Sequence, residues 1–539
     1  MAHALAVIPR ARAAVAAALV AALAPACSSR SSKEEGRPAG LGRRVLEGRV
    51  RDVRPSPDGA WLAVLDGCAD AASPFLPPGT GSCELDVVPA AGGPAVRVAS
   101  GVTTLPHGLA WGDRLAVLAR YDYPTASGTL VEWRPGAAPR ELAGGVTFYA
   151  FGPGGELGLV AAGELSLVPA GAAPRAVPGT IGAATFELAP TARPGAVAAL
   201  VRRRAAAGGE LLLVPASGRA RPVAGPVADY GYARDGERFA FTVAGREGAE
   251  LHVAASRVDA RPVAVARAVR AFTFAPDGGA LAYVSDAAPG KQGDLHVRGP
   301  GTKDVLLGKD VGEYAWAASA PRLAWLEHYD PRVRSGSAAA GGPGLAPRTW
   351  AAHVSDVEIS PDGKHVAFLQ HTKRGGYSVD LGLAHLDAPG PARAEAVGTG
   401  VFGFAFSSDA RWLYYRTRCT ATADACDVER IPAAGLPAGA KPERIAEGAR
   451  SFDLDPRDPE RLVLAWKRGD GDAVDLGVWD HGTLSRVDSR VRAGTARLLG
   501  PDGRRIAYVV GGPGRGGGFG AAGPRAAAVP AAGAAGASR

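Results

Sequence analysis

Apolar and polar residues alternate in short runs along most of this chain, and Gly, Pro, Asp and Ser separate the runs. A period of two marks half-buried β-strands, and the frequent Pro and Gly exclude long helices. The clearest runs share one template. Residues 357–368 read VEISPDGKHVAF, 272–283 read FTFAPDGGALAY, 497–508 read RLLGPDGRRIAY, and 52–64 end in RPSPDGAWLAV. Each is a strand, then Pro-Asp-Gly, then a second strand. Pro fixes φ, Asp bonds back to its own turn, and Gly takes the positive φ that a tight hairpin needs. Weaker copies include GYARDGERFAF (231–241), AFGPGGELGLV (150–160), FAFSSDARWLYY (404–415), FDLDPRDPERLVLAW (452–466), LAWGDRLAVL (109–118) and YAWAASAPRLAWL (314–326); the poorest is FELAPTARPGAVAAL (186–200). The turns centre near residues 58, 113, 154, 193, 235, 277, 320, 362, 409, 458 and 502, which makes eleven copies about 44 residues apart.

A third strand follows each hairpin, often ending Val-Pro-Ala, as in ELDVVPAAGG (84–93), ELSLVPAG (164–171) and ELLLVPASG (210–218). A fourth follows, such as AVRVASG (95–101) or PRELAGG (139–145). Four strands per unit of about this length is a propeller blade, and a lone blade cannot bury both faces, so blades must stack around an axis. The predicted fold class is an all-β propeller of four-stranded blades. The Ala-rich stretch 197–208 (AVAALVRRRAAA) favours helix by propensity, but its place in the repeat predicts a strand.

This Ser-Pro-Asp-Gly blade resembles the WD-like propeller repeats of TolB and of the propeller domains in prolyl-oligopeptidase-type enzymes. The resemblance covers about residues 44–530, and four copies keep Pro-Asp-Gly, at 57–59, 276–278, 361–363 and 501–503. It implies a propeller fold. TolB-like proteins carry an α/β domain ahead of the propeller, whereas here the blades begin almost at the N-terminal tether, so TolB's partner role is carried over to no residue.

Eleven blades exceed the four to eight usual in one ring. Two tandem propellers are therefore expected, residues 44–310 with about six blades and 311–510 with about five. Residues 114–140 and 322–348 match without gaps at an offset of 208, with RLAVLARYD against RLAWLEHYD. Either a multi-blade block was duplicated or neighbouring blades share a template. The tail at 511–539 (GGPGRGGGFGAAGP and beyond) is disordered by composition, or else its 525–533 stretch is a third strand completed by residues 44–47.

Residues 1–26 read as a signal peptide: Arg10 and Arg12, an apolar run from Ala13 to Ala24 too short to span a bilayer, then small residues. The segment resembles a bacterial lipoprotein signal ending at Cys27, which would be lipidated. Residues 27–43 form a polar tether. With no Asp beside the cysteine, this signal class implies the outer membrane facing the periplasm; the alternative is plain secretion. Four cysteines then remain, and an even count in an exported protein suggests disulfides. Cys68 and Cys419 each lie seven residues after a tryptophan at the end of a strand, while Cys83 and Cys426 each open the next strand. The expected pairs are Cys68–Cys83 and Cys419–Cys426. Net charge is +8, falling to +6 without the leader, and Arg is scattered, so no nucleic-acid footprint exists.

Chemistry is sparse. No Gly-Xaa-Ser-Xaa-Gly elbow and no phosphate loop occurs, and the ten His are dispersed. His365 and His371 share one strand face, but solvated or satisfied His is the expected role. Asp58, Asp277, Asp362 and Asp502 recur once per blade on the same hairpin, which assigns them to turn chemistry. No cofactor or metal is expected. The long connections after the second strand (66–83, 119–128, 327–336 and 416–426) gather on one side and mark a binding face. Tyr121, Asp122, Tyr329 and Asp330 recur there; they suit contact with a protein or glycan, or else Tyr packs the loop base and Asp caps it. The function implied is a non-catalytic periplasmic scaffold for an envelope protein, held to the membrane by its N-terminal lipid. The alternative is a propeller-type lyase, lactonase or hydrolase with a site in the central channel.

Overall fold

The computed structural model describes residues 43–528 except 45, 47–49, 72–75, 77–79, 170, 191–196, 206–207, 217, 286–291, 372–378, 421–424, 438–439, 470–472, 501 and 513–519. The signal peptide, Cys27, the tether up to residue 42 and the tail beyond 528 lie outside these residues. Apart from one 3-10 turn at Pro106–Gly108, all regular structure in the described residues is antiparallel strand. The strands make eleven four-stranded blades. Blades 1, 4, 5, 6 and 9 are separate sheets. Arg140–Phe151 is the outer strand of blade 2 and then the inner strand of blade 3; Leu345–Ile359 does the same for blades 7 and 8. Blades 10 and 11 meet in one eight-stranded sheet. The Ala-rich segment forms strand Val197–Ala205, paired on both sides, so tertiary pairing overrides its helical preference.

The Ser-Pro-Asp-Gly turn works as a small hydrogen-bonded unit. The Ser56 hydroxyl donates to Asp58, the Trp61 N–H donates to Ser56 Oγ at 3.0 Å, and Asp58 accepts the Ala60 N–H at 3.0 Å. Ser360 and Asp362 repeat the pattern, as do Ser407 and Asp409. The Ser56 hydroxyl, followed by the Ala60 N–H, holds the Asp58 carboxyl below the usual carboxylate range. Gly59 has φ +64°, and a Cβ there would lie 1.9 Å from the Gly500 backbone nitrogen of blade 11. Only glycine fits both the turn and that approach.

The apolar core is divided among the gaps between blades. Leu65, Leu85 and Val87 of blade 1 pack on Leu115, Val117 and Trp133 of blade 2. The same arrangement repeats between each blade and the next. The last such core joins Val53, Leu62 and Val64 of blade 1 to Leu499, Ala507 and Val509 of blade 11. The division expected near residue 310 falls inside one shared core, where Leu295 and Val297 meet Leu323 and Trp325. Among the described residues no core joins blade 1 to blade 6 or blade 7 to blade 11, the contacts that two separately closed rings would make. The packing follows one circuit.

An arginine strut recurs at the start of the second strand and reaches the next blade. Arg114 donates to the Val168 carbonyl at 3.0 Å, Arg322 to Gly363 at 3.1 Å and Arg461 to Asp502 at 2.7 Å, and Arg238 donates to Gly278. Arg505 of blade 11 donates to the Gly59 carbonyl of blade 1 at 3.2 Å. Strand Arg43–Arg44 pairs with Gly520–Ala528, so the N-terminal end of the described chain supplies the outer strand of blade 11. That pairing covers an edge which would otherwise be open.

Expressed separately, residues 44–310 and 311–539 should each fail to give a cooperative, monomeric fold by thermal circular dichroism and gel filtration, because each half leaves two apolar blade faces uncovered. Two well-folded monomeric halves would show two self-contained rings.

Candidate functional site

In an antiparallel four-stranded blade, the connections between strands 2 and 3 and those leading to the next blade leave on one side. Both disulfides lie on that side. Cys68–Cys83 ties the end of Trp61–Asp70 to the start of Gly81–Pro89, and Cys419–Cys426 does the same in blade 9, with Cα separations of 4.0 and 3.9 Å. Both pairs are those expected from the sequence, and they mark an extracytoplasmic protein. Parts of the connections at 66–83 and 416–426 lie outside the described residues.

The offset of 208 is kept in three dimensions. Strands Leu115–Asp122 and Leu323–Asp330 correspond, as do the starts of Ser127–Trp133 and Ser335–Gly342. Each hairpin has the same irregularity, closing on the pairs Asp122↔Ser127 and Asp330↔Ser335. Each has two residues at positive φ, Arg120 (47°) and Ala126 (49°) in one, His328 (51°) and Arg334 (53°) in the other. Tyr121 is half-buried, its ring centroid 5.0 Å from Tyr123 and its hydroxyl 3.4 Å from His107 Nε2. The Asp122 carboxylate accepts from the Thr125 hydroxyl at 2.6 Å. The Tyr329 ring lies over Gly312, and Asp330 accepts the Arg332 N–H at 2.9 Å. In both copies the ring packs the hairpin base and the carboxylate shapes the turn. The same side presents Ile181 (70% exposed), Val333 (67%) and Phe402 (45%) to solvent.

A second set of polar groups stands on the inner strands, where the sequence reading did not look. Glu187 of blade 4 accepts the backbone N–H of Tyr232 of blade 5 at 3.3 Å, and Thr185 Oγ1 lies 3.0 Å from the Tyr230 hydroxyl. Burial in this cleft pushes the Glu187 carboxyl up to about 7 and the Tyr230 phenol up to about 12, and raises Asp229. Asp229 keeps an exposed face, and the protein packed around the rest of it raises its carboxyl. Glu358 of blade 8 accepts the Phe406 N–H of blade 9 at 3.5 Å, which repeats the Glu187 contact. The signal was present in the repeat: FEL, VEI and FDL each set a carboxylate between two core positions.

Other titratable groups explain themselves structurally. His365 pairs with His385, Nδ1 to Nδ1 at 3.0 Å, rather than with His371 at the far end of the strand. Burial lowers the His365 pKa. Asp458, Asp480 and His481 come close enough together to hold a metal. The guanidinium of buried Arg461 already spans that cluster, 3.3 Å from Asp455, 3.2 Å from Asp458 and 3.2 Å from Asp480. Its charge and donors already occupy oxygens of the carboxylates that a cation would need.

No family model matches the chain, and no curated protein matches it. Solved structures match weakly. A eukaryotic initiation factor is 12% identical at a TM-score of 0.40, over 65% of this chain and 88% of that one. An oligogalacturonate lyase in complex with manganese is 13% identical at 0.30, over 66% and 99%. TolB from Acinetobacter baumannii is 11% identical at 0.23, over 58% and 73%. At these scores the likenesses say nothing of what the chain does. Strand pairing and packing establish the propeller.

Two outcomes test the site chemistry. Arg461→Met should cost about 3–5 kcal/mol in denaturant unfolding, since it strands buried carboxylates, and added Mg²⁺ or Zn²⁺ should not restore it. For Glu187, the folded-state pKa lies above the unfolded value, so the folded chain holds the proton more tightly. Stability should fall as pH rises from about 4.5 to about 7 and level off above. Glu187→Gln should flatten that part of a melting-temperature profile.

Proposed function

We propose that this protein is a non-catalytic scaffold of the bacterial cell envelope, tethered to the outer membrane through a lipidated Cys27, and that it binds a protein partner in the periplasm. The observation that carries this reading is the gathering of both disulfides and both duplicated hairpins on one side. Both disulfides, the duplicated hairpins with Tyr121, Asp122, Tyr329 and Asp330, and the exposed apolar loop residues Ile181, Val333 and Phe402 fall on one side. A rigidly braced surface with apolar side chains held in solvent suits a partner that dehydrates them on binding. The leader sequence supports the membrane tether.

A second reading rests on the cleft between blades 4 and 5. A carboxyl whose pKa is raised to about 7, beside two tyrosines and a second carboxylate, suits proton transfer at neutral pH. Such a site would make the protein a propeller-type enzyme acting from the inner strands.

Envelope extract passed over the intact protein should yield partners that are lost when residues 119–128 and 327–336 are each replaced by a short Gly-Ser turn. Equal recovery by both forms would refute the binding face. Cys27→Ser should release the protein from the membrane fraction into the soluble one; unchanged fractionation would remove the lipid anchor.

A further inference from the structure

The eleven shared cores are not equal. Among the described residues the one between blades 5 and 6 is the smallest, with Ala240, Leu251, Val269, Leu281 and Tyr283 fully buried. The outer strands beside it, Val263–Ala266 and Val305–Gly308, are four residues each, and Val263 stays 60% exposed. Too little side-chain volume reaches this gap to fill it, and a cavity of about 290 Å³ remains.

Its lining is chemically specific. Arg238, Arg261 and Arg298 border it, together with apolar Val263, Val265 and Leu281, and no carboxylate lines it. Arg238 is committed to the Gly278 carbonyl, with its guanidinium 5.7 Å from the Phe274 ring centre. Arg298 approaches Asp304 only at 3.5 Å, with both side chains about a third exposed, a contact worth little. Arg261 forms no ion pair among the described residues. Two cations thus stand over an apolar wall with most of their donor capacity unspent.

We propose that this gap binds a small amphiphile, an anionic carboxylate or phosphate head on a short apolar body. Guanidinium forks match both heads in bidentate geometry. The valine and leucine wall favours an attached hydrocarbon over a bare anion, because filling the gap removes apolar surface from water. A concave gap of this size suits a small molecule rather than a protein surface. The gap opens beside the connections between strands 1 and 2 and between strands 3 and 4, opposite the disulfide-braced side. Ligand and protein partner could then be held together, and this site stands or falls independently of the partner reading.

Isothermal titration of the full chain tests it with octyl phosphate and octanoate below their micelle concentrations, against inorganic phosphate and neutral octyl glucoside. Saturable binding of octyl phosphate, octanoate or both is expected, and which of them binds identifies the head. Inorganic phosphate and octyl glucoside should each bind at least about tenfold more weakly. The double variant Arg261→Ala, Arg298→Ala should weaken the anionic amphiphile by about tenfold or more with little change in melting temperature, since Arg261 is exposed and Arg298, at the end of strand Asp294–Arg298, gives up only a weak contact with Asp304. Val263→Asp should do the same through the wall. No saturable binding of either anionic amphiphile, equal binding of octyl glucoside, or unchanged affinity in the double variant would overturn the proposal.

Discussion

Every blade of this protein depends on its neighbours for a core. A four-stranded sheet has two faces, and here both are apolar near the middle strands, so each blade is stable only when sandwiched. Leu62 and Val64 face one way and Leu65 and Ala63 the other on a single strand, and the two sets belong to different cores. This constraint explains why the apolar packing runs as a circuit and why the circuit has to close. The gap between blade 11 and blade 1 is filled as the others are, by Val53, Leu62, Ala507 and Val509.

Polar contacts then fix the spacing that apolar packing leaves loose. Apolar contacts are non-directional, whereas a guanidinium donating to a carbonyl sets both distance and angle. The arginines that open the second strands of blades 2, 5, 7, 10 and 11 each hold a carbonyl of the following blade. Arg461 shows how far this goes, since it is buried and satisfies three carboxylates while it spans to blade 11. The strand pairing between distant parts of the chain, Arg43–Arg44 with the strand at 520–528, extends the same logic to the backbone.

The framework leaves three places where chemistry can happen, and they are separate. One side has braced hairpins and exposed apolar loops. The inner edge has a cleft in which Glu187 loses hydration. The opposite side has an underfilled gap under three arginines. Each arises where the blade template departs from its average: an insertion, a carboxylate at an inner-strand position, a small shared core. In a repeat protein such departures are the natural place for function, because the regular positions are already committed to stacking.

The local chemistry of the chain settled a good deal by itself. Pro-Asp-Gly at 57–59 and 361–363 dictates a hairpin, because Asp58 and Asp362 have no better acceptor role than their own turns. The strand contexts of Cys68, Cys83, Cys419 and Cys426 determine both disulfides, since each pair lies across one hairpin. The offset between 114–140 and 322–348 determines two hairpins of one shape. What remained for the tertiary structure was everything that depends on which blade meets which. Blade number could not say whether the division near residue 310 separates rings, because blade 6 is joined to blade 7 through space, by contacts such as Leu295 with Trp325 and the Trp316 indole N–H donating to Thr273. Nothing in FEL announces a carboxyl raised to about 7, because the hydration lost by Glu187 is taken away by Tyr230 and Tyr232 of another blade. The gap beside Arg261 and Arg298 is likewise invisible along the chain, since it exists only as the volume that two adjacent sheets fail to fill.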